Sequence, residues 1–349
     1  MNRLDKRGSV FYYSSMQKKE EMASLAEIND VWDYYKKDLM EVEDQLRKNL
    51  DSKVLLINKA SNYILDSGGK RIRPLLMIIS SGLFGYTSKE VIVLAGIIEF
   101  IHTATLLHDD VIDNSDLRRG KKAVRTIWGN QPSILIGDYL YTRALSKTIS
   151  LEVHEINYTV SQACTSMLEG EVLQFYHNGN INITEEEYLN IIEHKTAALL
   201  SAACRLGAIA GGAKEEEKDA ISRFGLKLGT AFQVADDTLD YVADKEKLGK
   251  SMGKDLNEGK ITMPLLHLLR HCDSSDKKKL MVMIETNSFE EKDLHYILSL
   301  MKEHGSIDYS LGKAKYYIEE AKKELPVFED SPHKKSLSIL ADYVATRDY

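Results

Sequence analysis

Five prolines, at positions 74, 132, 264, 326 and 332, are all that a chain of 349 residues carries. Between them apolar residues recur at helical spacing, without convincing strand alternation. Leu199, Leu200, Ala203 and Leu206 share one helical face, and Leu226, Gly229, Phe232, Val234 and Leu239 fit a broader, almost all-round buried pattern. No Asn-Gly or Asp-Gly hairpin signal lies between apolar runs, and no short repeat or low-complexity tract stands out. Breaks fall at Ser67-Gly68-Gly69, from Gly129 to Pro132, at Asn178-Gly179-Asn180, at Gly211-Gly212 and from Gly249 to Gly259. The expectation is one all-α domain of many helices behind a loosely attached N-terminal extension. With 43% hydrophobic residues, the apolar mass suffices for a large core.

Charge and cysteine usage narrow the partners. A net charge of −7 argues against nucleic acid. Cys164, Cys204 and Cys272 form no C-x-x-C pair or other metal spacing, which fits a reduced, cytoplasmic protein. The apolar run from Val91 to Leu107 is interrupted by Glu99 and His102, so it reads as a buried helix and not as a transmembrane segment. Arg3, Lys6, Arg7 and several serines raise an organellar presequence, against which Asp5, Glu20 and Glu21 weigh.

The chemistry is carried by two acidic clusters. "LLHDDVIDNSDLRRG" places Asp109, Asp110 and Asp113 directly behind apolar helical sequence. Asp109 and Asp113, four apart, share a helical face. "FQVADDTLDY" repeats the spacing with Asp236, Asp237 and Asp240. One D-D-x-x-D arises by chance on many helices, and a solvated acidic face is its ordinary reading. Two clusters with the same internal spacing, each ending an apolar helix, are far more specific. Bare carboxylates this close repel one another unless a cation sits among them. Hard oxygen ligands suit Mg²⁺, which bridges carboxylates to phosphates. Two such clusters across a cavity suit several Mg²⁺ ions around one highly charged anion, for which a diphosphate is the natural candidate.

Cations should then converge on the same anion. "SGGKRIRP" supplies flexible backbone followed by Lys70 and Arg73, read as one helical turn apart, with Pro74 in the first turn of a helix. Arg118 and Arg119 follow the first cluster, and Lys195-Thr196, Lys250, Lys254 and Lys260 add to the set. Singly, each lysine reads as a solubilising surface residue; the ensemble is harder to dismiss. His102 lies seven before Asp109, about 20° away on an ideal helix. A satisfied core histidine is the usual reading of such a residue, and alignment with the aspartates favours ligand contact.

These residues resemble the trans-isoprenyl diphosphate synthases, or polyprenyl synthetases. "GGKRIRP", "LLHDDVID…DLRRG", "GDYL", "EGEVLQ", "KTA", "FQVADDTLDY" and "GKDLNEGKITMPLL" occur in that family's order over residues 30–349, leaving 1–29 as the extension. The wording "IEFIHTATLLHDDVID" is most similar to the long-chain, octaprenyl-class members that make quinone side chains. The resemblance implies the all-α isoprenoid synthase fold, with helices around a deep central cavity, working as a homodimer. It implies Mg²⁺ at Asp109, Asp110 and Asp113 and a further ion at Asp236, Asp237 and Asp240. It matches Lys70, Arg73, His102 and Arg119 to isopentenyl diphosphate. It matches Arg118, Lys195, Thr196 and Gln233 to the allylic diphosphate, with Lys195, Thr196 and Gln233 closest to the chemistry. It further implies that Lys250 and Lys260 reach the diphosphate, that Arg347 belongs to a basic C-terminal tail, and that the product leaves through peripheral membrane contact.

Rival readings are a short-chain farnesyl or geranylgeranyl diphosphate synthase, a terpene cyclase and a catalytically silent regulatory subunit. Two aspartate clusters plus "GGKRIRP" favour joining two diphosphates over cyclising one. Intact clusters and basic positions count against a silent subunit. Small residues before the first cluster, Ala104 and Thr105, predict a cavity open to a long chain, with Ile98 further along its path. Its floor is expected on another helix, between Tyr141 and Val160.

Overall fold

The computed structural model describes residues 25–50, 52–85, 88–242, 253–286 and 289–346. It is almost entirely helical. Short helices α1 (Ile28–Tyr34), α2 (Lys36–Asn49) and α3 (Leu55–Leu65) lead to α4 (Ile72–Gly82) and the long α5 (Lys89–Ile112). A two-residue antiparallel ribbon, β1 (Leu117–Arg118) with β2 (Lys121–Lys122), and α6 (Val124–Trp128) connect to α7 (Asn130–Ile149) and α8 (His154–His177). Next come α9 (Glu185–Ile192), a π-helical turn at Glu193–Ala197, α10 (Ala198–Ala210) and α11 (Glu215–Val242). The short α12 (Lys254–Asn257) precedes α13 (Met263–His271), α14 (Ser274–Thr286), α15 (Glu291–Glu303), α16 (Ser306–Lys322) and α17 (Pro332–Thr346).

The expected buried helix is α5. Ser88 caps it by accepting the Glu90 N–H at 3.2 Å, and no proline or glycine cluster stops it before Asp113. Apolar on nearly every side, it packs against α4, α7 and α2. Among the described residues it alone is long and apolar enough to cross a membrane, but most of it lies inside the fold. Glu99 in its middle is buried, so the interrupting charge is part of the interior.

Two apolar clusters divide the molecule. The larger gathers α4, α5, α7, α8, α10 and the first half of α11; Val31 and Val42 near the start and Leu337 and Leu340 near the end belong to it too. The smaller holds α9, α13 and α15 against Val234, Ala235 and Tyr241. Helix α11 therefore runs from one core into the other, and its last turns lie where the cavity opens. Prolines fall where a missing N–H is harmless: Pro74 sits in the first turn of α4 and Pro264 in that of α13.

Candidate active site

Between α5, α8 and α11 lies a cavity of about 910 Å³. Its lining includes Asp109 and Asp113 from the end of α5, and Gln233, Asp236, Asp237 and Asp240 from the end of α11. The loop before α4, the ribbon after α5, the π-helical turn and the α12 segment complete the wall. Both clusters thus stand at helix C-termini, where backbone carbonyls already carry partial negative charge. Carboxylates placed so favour cations beside them, whether side chains or ions.

The three aspartates of the first cluster part company. Asp109 faces the cavity, and burial pushes its carboxyl up to about 7, with Lys195 opposing and Glu171 and Asp113 adding. Asp113 accepts from Lys260 Nζ at 3.1 Å. Asp110 is fully buried and is absent from the cavity wall. Its Oδ1 accepts from Arg118 Nε at 2.8 Å and Nη2 at 2.5 Å, while Oδ2 has no hydrogen-bond partner. Asp110, read together with its neighbours as a metal ligand, is held here in an ion pair apart from the cavity-lining Asp109 and Asp113. One residue beyond Asp109 on a helix is a rotation of about 100°, which turns Asp110 away from the cavity and into an ion pair. Arg118, read as a contact to the allylic substrate, lines the cavity while tethered to Asp110.

In the second cluster Asp236 is exposed to the cavity. Asp237 is buried, and both of its oxygens are engaged: Tyr188 Oη donates to one at 2.6 Å and Gln233 Nε2 to the other at 2.6 Å. Burial raises this carboxyl to about 7, and those two donors hold it back. Asp240 accepts the Asp255 N–H at 3.0 Å. Burial, with Asp237 and Asp240 nearby, drives the Asp255 carboxyl well above its usual range. Lys260 links the two clusters, bonded to Asp113 and Glu258 and close to Asp255. Burial opposes its charge, but those three carboxylates outweigh it and raise its pKa.

The π-helical turn carries Lys195 and Thr196. Its widened backbone lies against Gly170 of α8, where a Cβ would come within 2.4 Å of the Lys195 backbone nitrogen. Only glycine lets the turn sit this close. Lys195 Nζ is held by Glu171 at 2.6 Å and by Gln174, and Thr196 Oγ1 donates to Gln233 Oε1 at 2.9 Å. Thr196, Gln233, Asp237 and Tyr188 therefore form one hydrogen-bonded chain along the wall.

A cationic recess occupies another part of the cavity. Lys70, Arg73, Arg119 and His102 all line it. Lys70 and Arg73 do not share a helical turn as read from the sequence: α4 begins at Ile72, and Arg71 before it is left-handed (φ 49, ψ 36). Lys70 stands in the loop, donating to Tyr343 Oη of α17 at 2.9 Å. Gly69 (φ 150) admits the Arg119 guanidinium, since a Cβ there would lie 2.8 Å from Nη1. Burial lowers the Arg73 guanidinium to about 10, and it drives His102 well below its usual range, with Arg73 and Arg119 adding. His102 is therefore neutral in this recess.

Several wall residues escaped the sequence reading. Glu171, Gln174, Asp255 and Glu258 lie inside quoted motifs but were given no role there. Tyr188 carries no motif signal, while Glu99 showed only as a charge interrupting an apolar run. Lys250 and Arg347 lie outside the described residues, as does most of the 1–29 extension. Thr105 and Leu106 line the cavity, but Ala104 and Ile98 are fully buried in the large core. The lining from α7 and α8 comes from Ile134, Asp138, Met167 and Leu168 with the polar residues beyond them, so the expected floor between Tyr141 and Val160 is not part of this wall.

The donor set fits Mg²⁺ together with a diphosphate. Among the described residues no three His, Cys, Asp or Glu side chains form a ready-made cage. Mg²⁺ is commonly held by one or two carboxylates plus substrate phosphates, with waters filling the rest. Cavity-facing Asp109 and Asp236, opposite Lys and Arg groups, are suited to that shared coordination.

Comparison with known proteins agrees with this geometry. A family model described as polyprenyl synthetase matches residues 54–301. Octaprenyl diphosphate synthase of Escherichia coli (strain K12) is 40% identical over 311 residues, 89% of this chain and 96% of that protein. The octaprenyl diphosphate synthase of Haemophilus influenzae is 38% identical over 332 residues, covering 95% of this chain and all of its own length (100%). Among solved structures, polyprenyl synthase from Caulobacter crescentus CB15, complexed with calcium and isoprenyl diphosphate, superposes with a TM-score of 0.88. It is 35% identical and covers 92% of this chain and 98% of its own.

Proposed function

The chain belongs to the polyprenyl synthetase family, and from that premise we propose that it is a Mg²⁺-dependent prenyltransferase. It condenses isopentenyl diphosphate with an allylic diphosphate, farnesyl or similar, into a long-chain all-trans polyprenyl diphosphate of the octaprenyl class. One observation carries the reading: a single cavity holds two carboxylate clusters, a separate cationic recess and apolar wall from α5, α7 and α8. Two anions and a growing hydrocarbon each find matching surface there.

Asp109 and Asp113 on one side, and Asp236 with Asp240 on the other, would hold Mg²⁺, whose charge would stabilise the leaving diphosphate. Lys195 and Lys260 add fixed positive charge beside those carboxylates. The Thr196 and Gln233 oxygens present partial negative charge toward the allylic carbons as they become cationic. Lys70, Arg73 and Arg119 grip isopentenyl diphosphate, and neutral His102 adds a hydrogen bond without competing charge. The isopentenyl double bond then attacks, and the proton it sheds passes to the departing diphosphate. The aspartates act as ligands, not as general acids or bases.

The chain works as a homodimer. Leu168, Val172, Phe175 and Tyr176 make an exposed apolar stripe on α8, with Phe175 and Tyr176 73% and 79% exposed, and Leu135 stands out on α7. A second copy of the chain covers such a face symmetrically. Sedimentation of the purified protein tests this.

The deciding experiment incubates the protein with Mg²⁺, farnesyl diphosphate and labelled isopentenyl diphosphate and separates the dephosphorylated products by chromatography. An octaprenyl product supports the reading. Products stopping at geranylgeranyl length, or at farnesyl length when geranyl diphosphate is the primer, place the chain among short-chain synthases, and binding without incorporation from either primer marks a silent subunit.

A further inference from the structure

The cationic recess has a hidden centre. Arg71 lines the cavity, yet only 9% of it is exposed and its guanidinium points into the protein. Nη1 donates to Glu99 Oε1 at 2.6 Å, Nε donates to Glu43, and Nη2 reaches the Leu65 carbonyl at 3.4 Å. Glu99, on α5, is 3% exposed. It faces more than Arg71: its charge also bears on Arg73 and Arg119, opposing in both the effect of burial. This buried carboxylate therefore holds Arg71 directly and favours the charge of Arg73 and Arg119 from nearby. The Arg73 Nε is itself buried and has no hydrogen-bond partner.

The backbone gives this arrangement a purpose. Arg71 is left-handed at the corner between the Gly68-Gly69 loop and α4, a conformation that disfavours a side chain. Arg119 is left-handed as well, with φ 52. Strained residues persist where surrounding contacts over-determine them. At Arg71 those contacts are Glu99, Glu43 and Leu65. The corner is what sends Lys70 toward Tyr343 on one side and Arg73 into the cavity on the other.

We infer that Glu99 is a positioning residue for isopentenyl diphosphate: through Arg71 it fixes the left-handed corner that presents Lys70 and Arg73, and it keeps Arg73 and Arg119 gathered before the anion arrives. The inference rests on the reading of this recess given above. It makes a counterintuitive demand. Removing a negative charge beside an anion site should strengthen anion binding if charge alone governs. If position governs, removal weakens it.

The test uses the full-length protein and Glu99→Gln, which keeps shape and loses charge. Inorganic diphosphate is titrated calorimetrically in EDTA, which removes metal from the carboxylate clusters so that the cationic recess dominates binding. Expected is a weakening of about tenfold or more, the loss of one charge-assisted contact. In steady-state assays with Mg²⁺, the KM for isopentenyl diphosphate should rise comparably, while the KM for the allylic diphosphate stays within about twofold and kcat falls less than KM rises. Unchanged or tighter diphosphate binding overturns the inference, as does an equal rise in both KM values. Should Glu99→Gln not fold, Arg71→Lys keeps the charge and loses the fork. The same split is expected, and wild-type behaviour overturns the inference. A wild-type protein that binds diphosphate but transfers no prenyl group refutes the proposed function, while the diphosphate titration still decides the role of Glu99.

Discussion

The two aspartate clusters have identical spacing and are built differently. At the first position both turn an aspartate to the cavity, Asp109 and Asp236. At the second, Asp110 is buried against the cation Arg118, whereas Asp237 is buried against the neutral donors Tyr188 and Gln233. At the last, Asp113 meets a lysine and Asp240 a backbone N–H. One turn earlier stand Thr105 in one case and Phe232 in the other, both on the cavity wall. The repeated pattern thus puts the first and last aspartates of each cluster on the cavity wall; the middle one serves as an internal tether, and the kind of tether is local.

The largest effect should come from the shared position. Asp109→Ala and Asp236→Ala should each reduce turnover by about 10²–10³-fold or more with melting nearly unchanged, as expected for loss of charge stabilisation during bond breaking. A near-wild-type rate in either variant would break the equivalence of the clusters.

The tethers should separate next. Asp110→Ala strands Arg118 beside a buried site, and loss of one partner of a buried pair costs about 3 kcal/mol in unfolding free energy. Tyr188→Phe removes a neutral donor from Asp237 and costs about 1–2 kcal/mol. Denaturant titration compares them, and equal losses would mean that the two tethers are interchangeable. Tyr188 also lowers the Asp237 pKa. Its removal should therefore move the acid limb of the pH–rate profile upward in Tyr188→Phe, with no such move expected for Asp110→Ala.

A smaller effect links metal to pH. Without a cation, Asp109 and Asp237 stand at about 7, above the ordinary 3.8. The folded state then binds more protons than the unfolded state between those values, so the stability of the metal-free protein falls as pH rises through that window. Mg²⁺ requires the ionised form and offsets the loss. Thermal melts with and without Mg²⁺ should show a larger stabilisation near pH 8 than near pH 6, and equal shifts would detach these carboxyls from the cation.

The least effect on rate, though not on outcome, is expected at Thr105. Thr105→Phe makes the first cluster's approach resemble that of the second, and it should shorten the product while sparing the first condensation. An unchanged product from a stable, active variant would route the chain elsewhere. Ala104→Tyr instead forces bulk into the large core and should cost about 1–3 kcal/mol of stability.

Much of this was legible in the chain itself. Helical spacing and scarce prolines gave the fold class, and two like-spaced clusters with a basic run gave the site. What one helix's spacing cannot express is the partner another helix brings. Asp109 and Asp110 are equivalent as letters, yet a turn of about 100° gives one the cavity and the other Arg118. Lys70 and Arg73 look like a helical pair until Arg71 takes a left-handed corner, which nothing in a non-glycine residue announces. Ala104 and Thr105 are both small, and only packing decides which of them lines the cavity. Glu99 reads as a blemish in an apolar run because its three arginines come from segments far along the chain.

The π-helical turn at Glu193–Ala197 has a consequence for how such chains can vary. It holds more residues per turn than the α-helices on either side, so Lys195 and Thr196 occupy a local surplus of backbone. Deleting one residue there would restore a regular helix, an apparent simplification that a pairwise alignment would score as a harmless gap. It would also rotate α9 by about 100° relative to α10 and dissolve the contact at Gly170. The segment is thus a place where point substitutions can be absorbed but a change of length cannot, and where the most ordinary-looking backbone would be the inactive one.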